Sequence, residues 1–394
     1  MDPHIQEWLS LIIRWVHVIA GVAWIGASFY FNFLENHLER DGKNKREEIA
    51  GNLWAIHGGG FYYLEKYKVG PKTLPTILHW FKWEAYLTWL SGFALLVVVY
   101  YLNAKSMMIV PERWDAQPWQ AMSVSASLLV VSVIFYEILC RSPLAKNKAL
   151  LAVIGFGAVI LVGFLLSQYF SGRAAFLHVG AIMGTIMATN VFHVIIPNQR
   201  KMVNAASKGL PLDPQLGKKG LQRSRHNNYI TLPVLFLMIS NHYASTYGHQ
   251  NSWIILAGLI IAGVSLRHFF NIRHTNQMKA PFVFITIACL LAMAVYSYPQ
   301  KDHGSSDQLS ISDVKAISII ERRCTQCHSA QPTDEVFKVA PKGVMFDSLD
   351  QIKKHLTMIK KQAVDSQIMP IGNLTGMTEE ERQLLGQWID NFMD

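Results

Sequence analysis

The residues with the most definite chemistry are Cys324, Cys327 and His328, in the run C-T-Q-C-H. Two thiols at this spacing can form thioethers to the vinyl groups of a haem, and the adjacent imidazole is then brought under the iron. The run is therefore a c-type haem attachment motif. A zinc site would need a second Cys/His pair downstream, which the sequence lacks. The sixth ligand of such a haem is expected to be a thioether on a rigid loop about 40 residues later. Met369, in SQIMPIGN, meets that requirement; its rival Met358, in HLTMIKKQ, is expected to be a helical core residue. His/Met ligation raises the reduction potential, so this haem would accept electrons from the rest of the chain and pass them to a partner. Cys140 and Cys289 lie in apolar segments and are expected to be inert core residues.

Three further histidines fall inside apolar segments, where an ionisable side chain is costly and usually functional. At a rise of about 1.5 Å per residue, His17, His178 and His242 lie at similar depths, roughly 6 to 9 Å from one face. Two of the three are candidate ligands of a haem b, the alternative being polar residues that bond neighbouring helices. His193 and His268 lie near the opposite ends of their segments, and His57 and His79 in a loop on that side. His57 precedes three glycines, which allow close approach of backbone to a ligand. Lys82 and Glu84 stand among aromatics at a segment edge, where the Trp residues read as interface anchors. Arg223, Arg225, His226, Asn227 and Asn228 cluster before a later segment.

These residues are distributed over two unlike parts of one chain. Of 394 residues 51% are hydrophobic, and the apolar ones fall in blocks of about 20, the length that crosses a bilayer core. Eight spans are expected, at roughly 11–31, 84–103, 121–140, 149–167, 174–196, 229–247, 252–270 and 280–298. The loops after the first and fifth carry eight and seven Lys plus Arg, against two, one and none after the second, fourth and sixth. The positive-inside rule then puts both termini in the periplasm. Covalent haem attachment, which takes place outside the cytoplasm, requires the same side for the C-terminal part. The net charge of +9 is accounted for by these loops, and no basic stripe with interleaved aromatics points to nucleic acid. The first segment lacks a basic leader and is expected to stay in the membrane rather than be cleaved.

The expected fold class is thus all-α: a polytopic membrane helical bundle (1–300), a polar Gly/Ser linker (301–312) and a small all-α c-type cytochrome domain (313–394). In that last part SISDVKAISIIERRCTQCH reads as a helix entering the motif and TEEERQLLGQWIDNFM as a closing amphipathic helix.

The segments RWVHVIAGVAWIGASFYFNFLE, WAIHGGGFYYLEKY, LHWFKWEAYLTWLSG, VGAIMGTIMATNVFHVIIPNQ and SRHNNYITLPVLFLMISNHY resemble the bacterial membrane-bound urate oxidase (urate hydroxylase) family, which carries a C-terminal cytochrome c domain. The resemblance implies oxidation of urate to 5-hydroxyisourate in purine catabolism at the bacterial inner membrane, with the haem rather than dioxygen as immediate acceptor. A soluble or membrane cytochrome c or terminal oxidase would take the electrons onward. Urate is a planar anion, suited to Arg and Asn side chains and aromatic faces. Arg225, Asn227 and Asn228 are accordingly candidates for binding, and His57 and Glu84 for proton transfer. Two other classes compete: a membrane quinol dehydrogenase or electron-transfer subunit feeding a cytochrome c, and a transporter with an appended haem sensor. Against the transporter, no inverted repeat is apparent.

Overall fold

The computed structural model describes residues 3–41, 46–71, 73–273, 278–298, 313–334 and 337–393. The expected linker 301–312 lies outside the described residues. Apolar runs become helices because a backbone without water must bond within its own segment. The first is α1 (Pro3–His37). It is followed by an antiparallel hairpin of β1 (Ile49–His57) and β2 (Gly60–Tyr67), with His57 paired to Gly60. Gly58 and Gly59 form its turn at φ +57° and +81°, a pair of left-handed conformations that only glycine adopts without cost. The expectation of an all-helical chain is corrected here. The glycine run closes a hairpin, and His57 stands exposed at its tip.

Helix α2 (Trp83–Leu95) continues through a wide π-type turn at Leu96–Tyr101 into α3 (Ala104–Met107). Then come α4 (Pro118–Arg141), α5 (Lys148–Tyr169) and α6 (Gly172–Thr189). Each begins on a residue that satisfies its unpaired N–H groups or needs none. Pro118 starts α4, Asn147 accepts from Ala149 and Leu150, and Ser171 accepts from Ala174. A second π-type turn, Asn190–Ile195, joins α6 to α7 (Ile196–Ser207). Helix α8 (Pro214–Ile239) opens on Asp213 and Pro214 and carries Pro233 inside it. The proline ring packs on Gly263, where a Cβ would approach it to 3.1 Å. The bundle is completed by α9 (Ala244–Tyr247), α10 (Ser252–Ile272) and α11 (Ala280–Tyr296).

Six helical stretches among the described residues are long and apolar enough to cross a membrane, and α11 is a shorter apolar helix. Helix α8 is not among the six, because its first half carries Lys218, Lys219, Arg223 and Arg225. It also ends at Ile239, eight residues before the expected span does. His242 therefore lies not within a helix of the bundle but in the short 3₁₀ turn Ser240–His242 beyond it.

The C-terminal part packs α12 (Asp313–Arg323), α13 (Leu349–Lys353), α14 (Leu356–Ile359) and α15 (Glu379–Met393). Its core is its own: Ile319, Ile320, Ile352, Leu385, Trp388 and Ile389 are buried together, and the Trp388 indole N–H donates to Asp313 at 3.0 Å. Loop 366–373 joins this unit to the bundle. Ile368 packs on the larger core, Asn373 donates to Glu112 at 2.6 Å, and a Cβ on Gly372 would lie 2.9 Å from the Ile109 carbonyl.

Candidate functional site

Cys324, Cys327, His328 and Met369 line one cavity of about 280 Å³. Cys324 and Cys327 follow directly from α12, whose last turn is capped by the Cys324 N–H bonding to Ile320. Both cysteines are free thiols, and burial pushes each up to about 12, with Cys327 beside Cys324 and Asp334 beside Cys327 adding to it. A dithiol built for exchange has one thiol lowered instead. The His328 Nδ1–H donates to the Val344 carbonyl at 3.0 Å, which leaves Nε2 free to accept or ligate and fixes the ring plane. Met369 sits on the edge of the smaller core. Arg382, itself buried, donates to the Met369 carbonyl at 2.7 Å, to Asn373 at 3.3 Å and to the Ala363 carbonyl. The loop that carries Met369 is thus tied from below.

Met358 differs from expectation: it is 37% exposed rather than a core residue, and it lines the same cavity. Only Met369 has its backbone held by a buried arginine. The lining is largely apolar, with Phe337, Pro341, Val344, Phe346, Ile359 and Leu374. An apolar cleft with two thiols, one oriented imidazole and a thioether on a tethered loop, that of Met369, fits a covalent haem c. Among the described residues no group of three or more His, Cys, Asp or Glu is gathered as a bare metal ion requires.

The other wall of this cavity belongs to the helical bundle. Ser106, Met107, Arg173, Asn241, His242 and Tyr247 face the motif across it. His242, expected to pair with another histidine inside the bundle, is exposed at this edge instead. His178 is fully enclosed, with Nδ1 bonded to the Ala174 carbonyl and Nε2 to Ser125, each at 2.7 Å. His17 bonds the Thr88 carbonyl at 3.0 Å and Ser91 at 3.1 Å, beside Gly92. His17 and His178 are thus engaged by different partners, and His242 lines the cavity of the C-T-Q-C-H run instead.

A short ion-pair network closes the smaller unit. Arg323 reaches both oxygens of Glu381 at 3.0 Å, and the Thr378 N–H adds a third bond. Burial raises the Glu381 carboxyl, but the Arg323 bonds, the Thr378 N–H and the charges of Arg323 and Arg322 outweigh it and hold the group below the usual carboxylate range. A depressed carboxyl contributes its stability in full above roughly pH 4 and loses it as pH falls through the folded value. The wild-type unit should therefore lose stability more steeply than Glu381→Gln between about pH 5 and pH 3. Equal slopes in chemical unfolding followed across that range would contradict the assignment.

At the other end of the bundle a layer of buried and half-buried polar side chains crosses five helices, α1, α4, α6, α8 and α10. Asn190, on the second π-type turn, donates to Tyr136 at 3.0 Å and to Asn227 at 2.8 Å, and Asn227 donates to the Met187 carbonyl at 3.0 Å. The Tyr136 hydroxyl meets His226 at 2.7 Å. Cys140 lies 3.8 Å from the same ring nitrogen. Arg223 pairs with Glu137 at 2.8 Å and lies over the Tyr136 ring. Next to this, the Asn228 carbonyl oxygen accepts from Arg267 at 3.1 Å and from Asn271 at 2.8 Å. Asn32 and Asn36 of α1 bond Asn271 in turn.

Of the expected site residues, the fold brings Asn227 and Asn228 into this layer. The Asn227 amide is engaged at both ends by the protein, and Arg225 is exposed outside the layer. Glu84, in the first turn of α2, has one carboxylate oxygen buried without a hydrogen-bond partner. His268 is bonded to the Tyr229 hydroxyl at 2.7 Å, while His79 and His193 are exposed. Sequence reasoning missed Arg267, Asn190 and Tyr136. The signal for Arg267 was present: it is a charge inside the apolar run LIIAGVSLRHFF.

A family model described as urate oxidase N-terminal matches residues 3–297. The chain belongs to that family. The match takes in the hairpin, the bundle and the whole polar layer, and ends before the C-terminal unit that carries Cys324, Cys327 and His328. Neither the curated proteins nor the solved structures give a match.

Proposed function

We propose that the chain oxidises urate to 5-hydroxyisourate within the buried polar layer and delivers the electrons to a covalent haem c on the C-terminal unit. The observation that carries this reading is the shared cavity, one wall of which comes from the urate oxidase family segment and the other from the C-T-Q-C-H motif. In this reading Cys324 and Cys327 hold the haem, with His328 and Met369 as its axial ligands. When bound, the haem supplies a one-electron acceptor, used twice per urate.

Conversion of urate and water to 5-hydroxyisourate releases two electrons and two protons. Glu84 has an unbonded carboxylate oxygen sheltered from solvent and is the side chain we assign to accept a proton. His57, exposed at the hairpin tip, is better placed for the passage of protons to water than for contact with substrate. Asn227 and Asn228 position their neighbours around the substrate, and Arg225 stands outside that shell. This reading assigns one covalent haem and no haem b, since His178 would have to give up Ser125 to ligate and His242 lines the cavity of the C-T-Q-C-H motif.

The bundle lies in the bacterial inner membrane in this reading, with both termini and the haem unit on the periplasmic side. A soluble or membrane cytochrome c or terminal oxidase takes the electrons onward. The test is anaerobic mixing of purified, oxidised protein with urate while the haem c absorption band is followed. Reduction by urate is expected. A band that stays oxidised with urate but is reduced by a quinol would replace this reading with a quinol dehydrogenase.

A further inference from the structure

Four buried side-chain atoms among the described residues have no hydrogen-bond partner: Glu84 Oε2, Arg223 Nη1, and both Nη1 and Nη2 of Arg267. Arg223 is already paired with Glu137. Arg267 is different. It is fully buried, one face of its guanidinium lies 3.7 Å from the centre of the Phe29 ring, and its Nε–H is held by Asn228. Asn228 is held in turn by Asn271, and Asn271 by Asn32 and Asn36. Its two terminal NH₂ groups therefore point, in a fixed orientation, at no acceptor.

An unpaired cation buried among apolar helices is strongly unfavourable, and neutral hydrogen bonds to Nε do not offset it. The ring of Phe29 supplies part of the missing attraction. What remains unmet is an anion with two coplanar acceptors, the pattern that the guanidinium fork binds in two-point fashion. We propose that Arg267 is the anchor for the anionic edge of urate, with Asn228 and Phe29 holding the guanidinium in place. This rests on the urate reading above and names the contact that recognises the substrate. Urate is planar, anionic at neutral pH and carries adjacent nitrogen and oxygen acceptors along its edge, so it matches the fork. A lipid phosphate offers the same charge on a tetrahedral group tethered at the bilayer surface, whereas Arg267 is enclosed by protein.

The experiment uses the purified, chemically reduced holoprotein, in which urate binds without turnover. Thermal melting is titrated with urate for wild type, Arg267→Gln and Arg267→Lys. The KM for urate-driven haem reduction is measured on the same three proteins after reoxidation. Loss of a buried charged contact is expected to raise the apparent Kd and KM by roughly 30-fold or more in Arg267→Gln. Arg267→Lys should fall between, since a lysine restores the charge without the fork. Because the glutamine removes an unpaired buried cation, ligand-free Arg267→Gln should melt at or above the wild-type temperature. If it melts well below wild type yet keeps the wild-type Kd and KM, Arg267 is structural and the proposal is overturned. Protection of wild type by inorganic phosphate or anionic-lipid vesicles, but not by urate, would overturn it in favour of a phosphate ligand. A wild type whose haem is not reduced by urate at all removes the function itself, a result distinct from an Arg267→Gln variant that turns over normally.

Discussion

Replacing both Cys324 and Cys327 with alanine is expected to abolish covalent haem and to lower urate-driven electron delivery by at least about two orders of magnitude, while the helical bundle stays folded. The bundle has its own core, centred on residues such as Tyr100, Phe170, Phe176 and Leu237, and among the described residues the C-terminal unit adds to it only the partly buried Ile368. The smaller unit is more exposed to the change. It spans about 80 residues, a size at which a hydrophobic core alone is marginal, and Cys324 packs directly on that core. Haem staining after denaturing electrophoresis reads the first effect, and reduction of an added cytochrome c by urate reads the second. Staining that persists in the double variant would mean that the haem is not attached at this motif. Urate oxidation that continues at the wild-type rate would mean that electrons leave by another route.

Glu84→Gln should lower kcat by about 10²- to 10⁴-fold with little change in KM, the range associated with loss of a positioned proton acceptor. The reasoning is geometric. Glu84 sits in the first turn of α2, with its backbone carbonyl accepting from Thr88, so the residue is fixed by the helix. One carboxylate oxygen is buried with no protein donor. A carboxylate retained in that state without a partner is either a cost to the fold or a group waiting for a proton. Glutamine keeps the shape and removes the basicity. A substitution that raises KM and leaves kcat unchanged would assign Glu84 to binding. His57→Ala, at an exposed hairpin tip where water itself can carry the proton, is a useful contrast and should change either constant by no more than about twofold.

The helices were legible because hydrophobic runs of bilayer length report a local property, the segment's own solvation. The expected segments fall on α1, α2, α4, α5, α6, α10 and α11. The hairpin was not legible, although its Gly-Gly turn flanked by Trp54, Ile56, Phe61 and Tyr63 is a hairpin signal. The close approach to a ligand that a glycine run allows competes with its simpler use, which here is positive φ at Gly58 and Gly59. Helix α8 was misjudged for another reason. Its charged first half continues the same helix as its apolar second half, so the periodicity is helical throughout while the hydropathy changes midway.

The sequence by itself determined the C-T-Q-C-H run, the helical character of the bundle and the amphipathic helices that follow it. Each depends on residues contiguous or closely spaced in the chain. Only the tertiary structure decided which polar residues meet. Asn228 joins Arg267 across 39 positions, Asn271 joins Asn32 across 239, and His242 lines the same cavity as Cys324. Helix packing sets these pairings through the side chains of several elements at once. No pattern along one segment carries that information, and so the orphaned guanidinium of Arg267 becomes visible only when the helices are together.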